Sequence, residues 1–269
     1  VVRPGSGGGR HEVYEYEVAM ALTGEFGKVY TEGDNSACVP TDTMKNTVYA
    51  LAAQHEVDSP EGFGRILAGH FVEKFGHVSR ATVGLEQTVW ERIEVAGQAH
   101  EHAFTKGAYR RTAQVQRMRG GATEVVGGIT GLEVLKTTRS SFCGFLVDEY
   151  TTLKDAAERI FATTIDATWT FAPAAAELRG ADYNGLAEVV RRTLLEVFAA
   201  HDSKGVQQTL YAMGEAVLAA AAGVEEIRLS LPNQHRILAN IGVFNLPNEN
   251  EVFVTTREPY GVIQGTVRR

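Results

Sequence analysis

Ser79-Arg80-Ala81-Thr82-Val83-Gly84-Leu85-Glu86-Gln87-Thr88-Val89-Trp90-Glu91-Arg92-Ile93 alternates along its length. Ala81, Val83, Leu85, Val89 and Ile93 fall on one side, and Arg80, Thr82, Glu86, Thr88 and Arg92 on the other. A period of two sustained this far is a long strand with one face on a core and the other polar. Ahead of it lie two amphipathic helices. Met44, Val48 and Leu51 share a stripe on the first; Phe63, Ile66, Leu67, His70 and Phe71 do so on the second, which opens with the cap and first-turn proline Ser59-Pro60. Earlier still, Tyr14, Tyr16, Val18, Met20 and Leu22 share one strand face from His11 onward. Gly5-Ser6-Gly7-Gly8-Gly9 before them reads as a hairpin tip or linker. A further strand is expected over 101–118.

The second half repeats this order. Residues 123–137 look extended, and Asp166-Ala167-Thr168-Trp169-Thr170-Phe171 alternates. One helix carries Leu186, Val189, Val190, Leu194, Val197 and Phe198; the next carries Val206, Leu210, Met213 and Val217. Strands near 224–231, 235–244 and 251–256 are expected to close the chain, and a short extra helix near 152–162 distinguishes the halves. Two strand-rich units, each holding a helix pair, indicate an internal duplication. The fold class is α+β, with antiparallel sheets covered by helices on one face. Long strands with a bare face and free edges favour closure into a barrel-like symmetric oligomer; the alternative is a monomer with one solvated face.

Composition narrows the function. At 269 residues and 44% hydrophobic, the chain can bury a full core as one large domain or two smaller ones. A net charge of −7 argues against a general nucleic-acid partner. Cys38 and Cys143 are too few for a disulfide framework or a thiolate metal site. The longest apolar run, Ala216 to Ala222, is too short to span a bilayer, so no membrane partner is expected. The ending Val267-Arg268-Arg269 is not a peroxisomal signal, and the expected location is the cytoplasm.

Thr41-Asp42-Thr43-Met44-Lys45-Asn46-Thr47-Val48-Tyr49 crowds hydrogen-bonding side chains around a helix start, where free backbone N–H groups attract anions. With Gly33-Asp34-Asn35-Ser36 before it, this run resembles the first-domain signature of the urate oxidase (uricase) family. So does Phe142-Cys143-Gly144-Phe145-Leu146-Val147-Asp148-Glu149-Tyr150-Thr151-Thr152-Leu153-Lys154, followed by Asp166-Ala167-Thr168-Trp169. Val206-Gln207-Gln208-Thr209-Leu210-Tyr211 and Leu231-Pro232-Asn233-Gln234-His235 follow in the family's order. The resemblance spans nearly the whole chain and implies two tandem tunnelling-fold (ββααββ-type) domains, placed at 1–119 and 120–269. It also implies a homotetramer with sites between subunits, and a bacterial source is expected.

The resemblance further assigns roles. On spacing alone, Arg159 reads as a surface arginine, two turns into the 152–162 helix and paired with Asp155 or Glu158; the family register makes it the clamp on urate. Gln207 and the backbone N–H of Val206 would read the opposite edge of the purine, and Phe142 would stack on its ring. Thr41 and Asp42 read as helix N-cap residues. The family implies that they complete a neighbour's site, Thr41 passing protons and Asp42 offering its backbone N–H. His235 would join the proton relay and Asn233 would hold dioxygen or water. The implied reaction takes urate, O2 and water to 5-hydroxyisourate and hydrogen peroxide, with no metal or flavin cofactor.

The family's relay base is a lysine in an opening Tyr-Gly-Lys segment. Val1-Val2-Arg3 resembles the end of that strand and no lysine precedes Lys28; the expectation is that the relay lysine lies upstream of Val1. Cys143 stands where the family usually has a bulkier neighbour of Phe142. Two other readings stay open: a tunnelling-fold enzyme acting on a pterin, and a non-catalytic purine-binding scaffold.

Overall fold

A computed structural model describes residues 1–3, 10–173, 175, 180–256, 258 and 260–269; the glycine-rich stretch around Gly7 lies outside them. The chain is α+β. Its elements are β1 (Glu15–Gly24), α1 (Gly27–Thr31), α2 (Thr41–Gln54), α3 (Pro60–Lys74), β2 (Val78–Val95), β3 (Gln98–Met118), β4 (Thr123–Lys136), β5 (Phe161–Phe171), α4 (Gly180–Ala200), α5 (Val206–Ala220), β6 (Val224–Pro232), β7 (Arg236–Leu238), β8 (Phe253–Thr255) and β9 (Val262–Arg268). They fall into two compact units. One is Val1–Ile129 with Thr168–Glu188 and Gly223–Glu225; the other is Thr130–Ala167 with Val189–Ala222 and Glu226–Arg269. Among the described residues, no helix is long and apolar enough to cross a membrane.

In the first unit, β2 pairs antiparallel with β1 on one side and β3 on the other. The register stacks Met20, Val83 and Val115 in one row, with Val83 and Val115 fully buried. α3 covers this face with Phe63, Leu67 and Phe71, all buried. Ser59 caps α3 by accepting from Gly62 N at 3.0 Å, as its sequence announces. Contact is closest at Gly64, where a Cβ would lie 2.7 Å from Val115 Cγ2 and 2.9 Å from Leu85 Cδ1. Only glycine lets this helix sit so low on its sheet. Val2 pairs with Tyr14 ahead of β1, Tyr14 N donating to Val2 O at 2.9 Å.

In the second unit, α5 buries Leu210, Met213 and Val217. It presses on β9 so closely that a Cβ on Gly265 would lie 2.7 Å from Leu210 Cδ2. β9 pairs with β6 from Glu226↔Arg268 to Pro232↔Val262. Asp166 of β5 pins the bend in β4: Oδ1 accepts from Thr130 Oγ1 at 2.6 Å and from Gly131 N at 2.8 Å. Gly131 has φ of +76°, a backbone angle that favours glycine.

Several sequence expectations are corrected. The expected helix near 152–162 does not form; residues up to Ile160 are irregular and β5 begins at Phe161. Non-local partners take its backbone groups: Ala156 N donates to Phe142 O at 3.0 Å, Phe142 N to Ala156 O at 2.8 Å, and Arg159 N to Ser140 O at 2.9 Å. These bonds override a helix-favouring composition. Arg92 and Ile93 exchange places, because the β2–β3 register shifts after Thr88 and again after Arg92. Ile93 is 41% exposed, while the Arg92 side chain is 12% exposed. It donates to His100 O at 3.0 Å and Glu101 O at 2.9 Å, pairs with Glu12 at 2.6 Å, and lies over the Phe104 ring. The expected strand 235–244 shrinks to β7 and the expected 251–256 to β8, whereas β9 had no counterpart in the sequence reading.

One buried ion pair is costly by design. Glu61 has no exposed side-chain surface, and both its oxygens accept from Arg111 Nη2, at 3.1 and 2.8 Å. Asn184 Oδ1 accepts from the other Arg111 Nη, and Asn184 Nδ2 donates to Asp58 O at 2.8 Å. Burial pushes the Glu61 carboxyl pKa up, against the pull of Arg111. Removing the cation leaves a carboxylate stranded in the core. Arg111→Ala should therefore lower unfolding free energy by about 3–5 kcal/mol in urea titrations; a loss below about 1 kcal/mol would mean the pair is not buried as described.

Candidate active site

Six of the eight expected site residues line one cavity in the second unit. Phe142, Arg159, Val206, Gln207, Asn233 and His235 surround about 360 Å³, with Lys154, Ile160, Arg236 and Ile263 among the other walls. That volume suits a small flat ligand.

The strap between β4 and β5 supplies the ring and the cation. Phe142 is fixed by its two backbone bonds to Ala156. Phe145 stacks on it with centroids 5.1 Å apart and planes 10° apart. Arg159 Cζ lies 5.5 Å from the Phe142 centroid. Arg159 Nε donates to Ser140 Oγ at 3.3 Å, and Ser140 is only 2% exposed. The expected surface pairing is absent. Asp155 accepts from Gly144 N at 3.1 Å and Glu158 accepts from Thr138 Oγ1, while Arg159 has no carboxylate partner among the described residues. Burial pushes the Arg159 pKa down from the ordinary arginine value, yet a guanidinium stays charged in proteins. A half-buried cation without a counter-ion is poised for an anionic ligand.

The start of α5 supplies the edge-reading groups. Gly205 precedes it in extended backbone, and its carbonyl accepts from Ser203 Oγ at 3.1 Å and Thr209 N at 3.3 Å. The N–H groups of Val206 and Gln207 belong to the first turn, which has no intrahelical acceptors. A Cβ on Gly205 would lie 3.3 Å from Gln207 Oε1 and 3.6 Å from Phe142 Cδ2, so amide and ring converge there.

The segment after β6 supplies the last pair. Asn233 N donates to Gly261 O at 2.8 Å, and Gln234 is anchored to Ala162 O at 3.1 Å and to Thr164 Oγ1 at 2.9 Å. His235 is exposed, its ring 6.1 Å from that of Tyr260.

Thr41 and Asp42 belong to the first unit, at the exposed start of α2. The N-cap is Pro40 rather than either of them, because Thr41 is already helical and no side chain caps the turn. The first helical bond runs from Met44 N to Pro40 O at 3.0 Å, leaving the N–H groups of Thr41, Asp42 and Thr43 free of helix acceptors. The Asp42 carboxylate is occupied by Lys45 at 2.6 Å and Asn46 at 2.9 Å, and Lys45 chiefly holds its pKa below the usual carboxylate range. Lys154 and Arg236 are cavity residues that sequence reasoning did not single out. Lys154 stood inside a quoted motif and Arg236 beside one, and the resemblance gave neither a role.

An aromatic ring, an unpaired guanidinium and an amide around one cavity define a site for a flat, anionic heterocycle. The uricase family profile matches residues 1–116 and 125–264. The uricase of Schizosaccharomyces pombe is 39% identical over 96% of this chain and 90% of that protein. That of Aspergillus flavus is 38% identical over 97% of this chain and 89% of its own length. The crystal structure of uricase from Arthrobacter globiformis superposes with a TM-score of 0.89 at 39% identity, covering 97% of this chain and 87% of that one. The chain belongs to the uricase family.

Proposed function

We propose that this cavity binds urate and that the chain catalyses its oxidation by O2 and water to 5-hydroxyisourate and hydrogen peroxide. The chain is a urate oxidase. The observation that carries the reading is the unpaired, half-buried Arg159 guanidinium facing the same cavity as Phe142 and Gln207. Urate is planar, anionic and rich in oxygens. Arg159 meets its oxygens with paired N–H donors, Gln207 and the Val206 N–H read the opposite edge, and the Phe142 ring packs against the purine. Fixing the anion beside these donors stabilises an electron-rich ring that can pass an electron to O2. His235 moves protons, and Asn233 holds dioxygen or water above the ring. In this reading no metal or flavin takes part. The pterin alternative calls for a glutamate anchor, and the cavity walls carry no acidic side chain among the described residues.

The same proposal takes 1–119 and 120–269 as tandem tunnelling-fold domains that assemble as a homotetramer. The exposed start of α2, with free first-turn N–H groups and an unengaged Thr41 hydroxyl, supports its completing a neighbour's site. A cytoplasmic setting belongs to the proposal too; the relatives named span fungi and a bacterium, so the expectation of a bacterial source rests on none of them.

Urate absorbance should fall as peroxide appears in equal amount; binding without turnover would favour the scaffold reading. Arg159→Ala should raise KM, lower turnover and reduce kcat/KM by about ten- to a hundredfold, the loss of a charge-assisted bond. Unchanged kinetics would remove Arg159 from the site. Thr41→Ala and Arg159→Ala chains, each impaired alone, should recover part of the activity when refolded together, because mixed assemblies contain intact shared sites. No recovery would place Thr41 and Arg159 in sites that are not shared.

A further inference from the structure

Three cations line the cavity: Lys154, Arg159 and Arg236. Among the described residues no aspartate or glutamate lines it, although the chain carries a net charge of −7. The urate-binding reading uses only Arg159. Lys154 is exposed and forms no hydrogen bond or ion pair among the described residues. Among the described residues Arg236 donates only to backbone carbonyls, with Nη1 3.4 Å from Gln234 O and 3.2 Å from His235 O. Among the described residues neither charge has an ion-pair partner. Their shared property is position, on the wall of a cavity that must take an anion out of water.

We propose that Lys154 and Arg236 form an electropositive entrance that draws the urate anion into the cavity and holds it there by charge. The overall negative chain repels an anion at long range; the local reversal of sign at one opening makes capture selective. Both act on the bound and approaching anion rather than on the reacting atoms, so they contribute to KM and to its salt dependence while leaving kcat alone. The inference rests on the urate-binding reading.

The test is steady-state urate oxidation at ~50 to ~500 mM salt, a range over which screening shortens severalfold. Urate binding, followed anaerobically by fluorescence quenching, reads affinity apart from turnover. Lys154→Gln and Arg236→Gln should each raise KM by about two- to fivefold at low salt with kcat preserved, as expected for a solvated charge. The double variant should show a flatter fall of kcat/KM with salt, and Lys154→Arg should restore the original KM. Variants that match the parent in KM and salt slope would overturn the entrance while leaving the urate site intact. A parent protein that neither binds nor oxidises urate would overturn both.

Discussion

The cavity hangs from a short backbone ladder centred on Ser140. Its carbonyl accepts from Arg159 N at 2.9 Å, its hydroxyl accepts from Arg159 Nε, and it bridges in parallel to Ser203. Ser203 N donates to Arg139 O at 3.0 Å and Ser141 N to Ser203 O at 2.8 Å. Three stretches are thereby fixed together: the start of the strap after β4, its end before β5 and the turn that opens α5. They bring the ring, the cation and the amide respectively. Ser140 and Ser203 are buried at 2% and 0% exposure, so water does not compete for these bonds. Had the strap formed the helix its composition favours, Ala156 and Arg159 would have given up their partners across it.

Charge in the molecule is placed by what surrounds it. Glu61 and Arg111 are buried and satisfy one another with help from Asn184, which makes them a structural pair. Arg159 is half-buried against a hydroxyl and the Phe142 ring, with no carboxylate among the described residues, which makes it a binding group awaiting an opposite charge. The two arginines differ in their partners as well as in burial.

Period and punctuation made much of the fold legible. The alternation from Arg80 to Glu86 and the Ser59-Pro60 start appear as read, as do the stripes of α3 and α5. The errors share a cause: bonds between residues far apart in sequence. The register shift after Thr88 inverted Arg92 and Ile93, and alternation alone carries no sign of a slip supplied by the partner strand. β9 was missed because Gly265 breaks up a short run of mixed polarity, Val262 to Arg268, and that glycine is there for Leu210 of α5. In the site, family resemblance rather than pattern singled out Arg159, whose sequence neighbours suggested a surface ion pair. Lys154 and Arg236 stayed unnoticed because a solvent-facing cation has no sequence signal of its own; only the shared cavity makes them a set.

The central claim is that the ring of Phe142, the guanidinium of Arg159 and the amide of Gln207 grip one urate molecule. A crystal structure of the protein grown with urate under strict exclusion of oxygen tests it most directly. The account predicts a purine packed against the Phe142 ring, with its oxygens within hydrogen-bond distance of the Arg159 guanidinium and its opposite edge on Gln207. Urate bound elsewhere, or an Arg159 that makes no contact with it, would contradict the account.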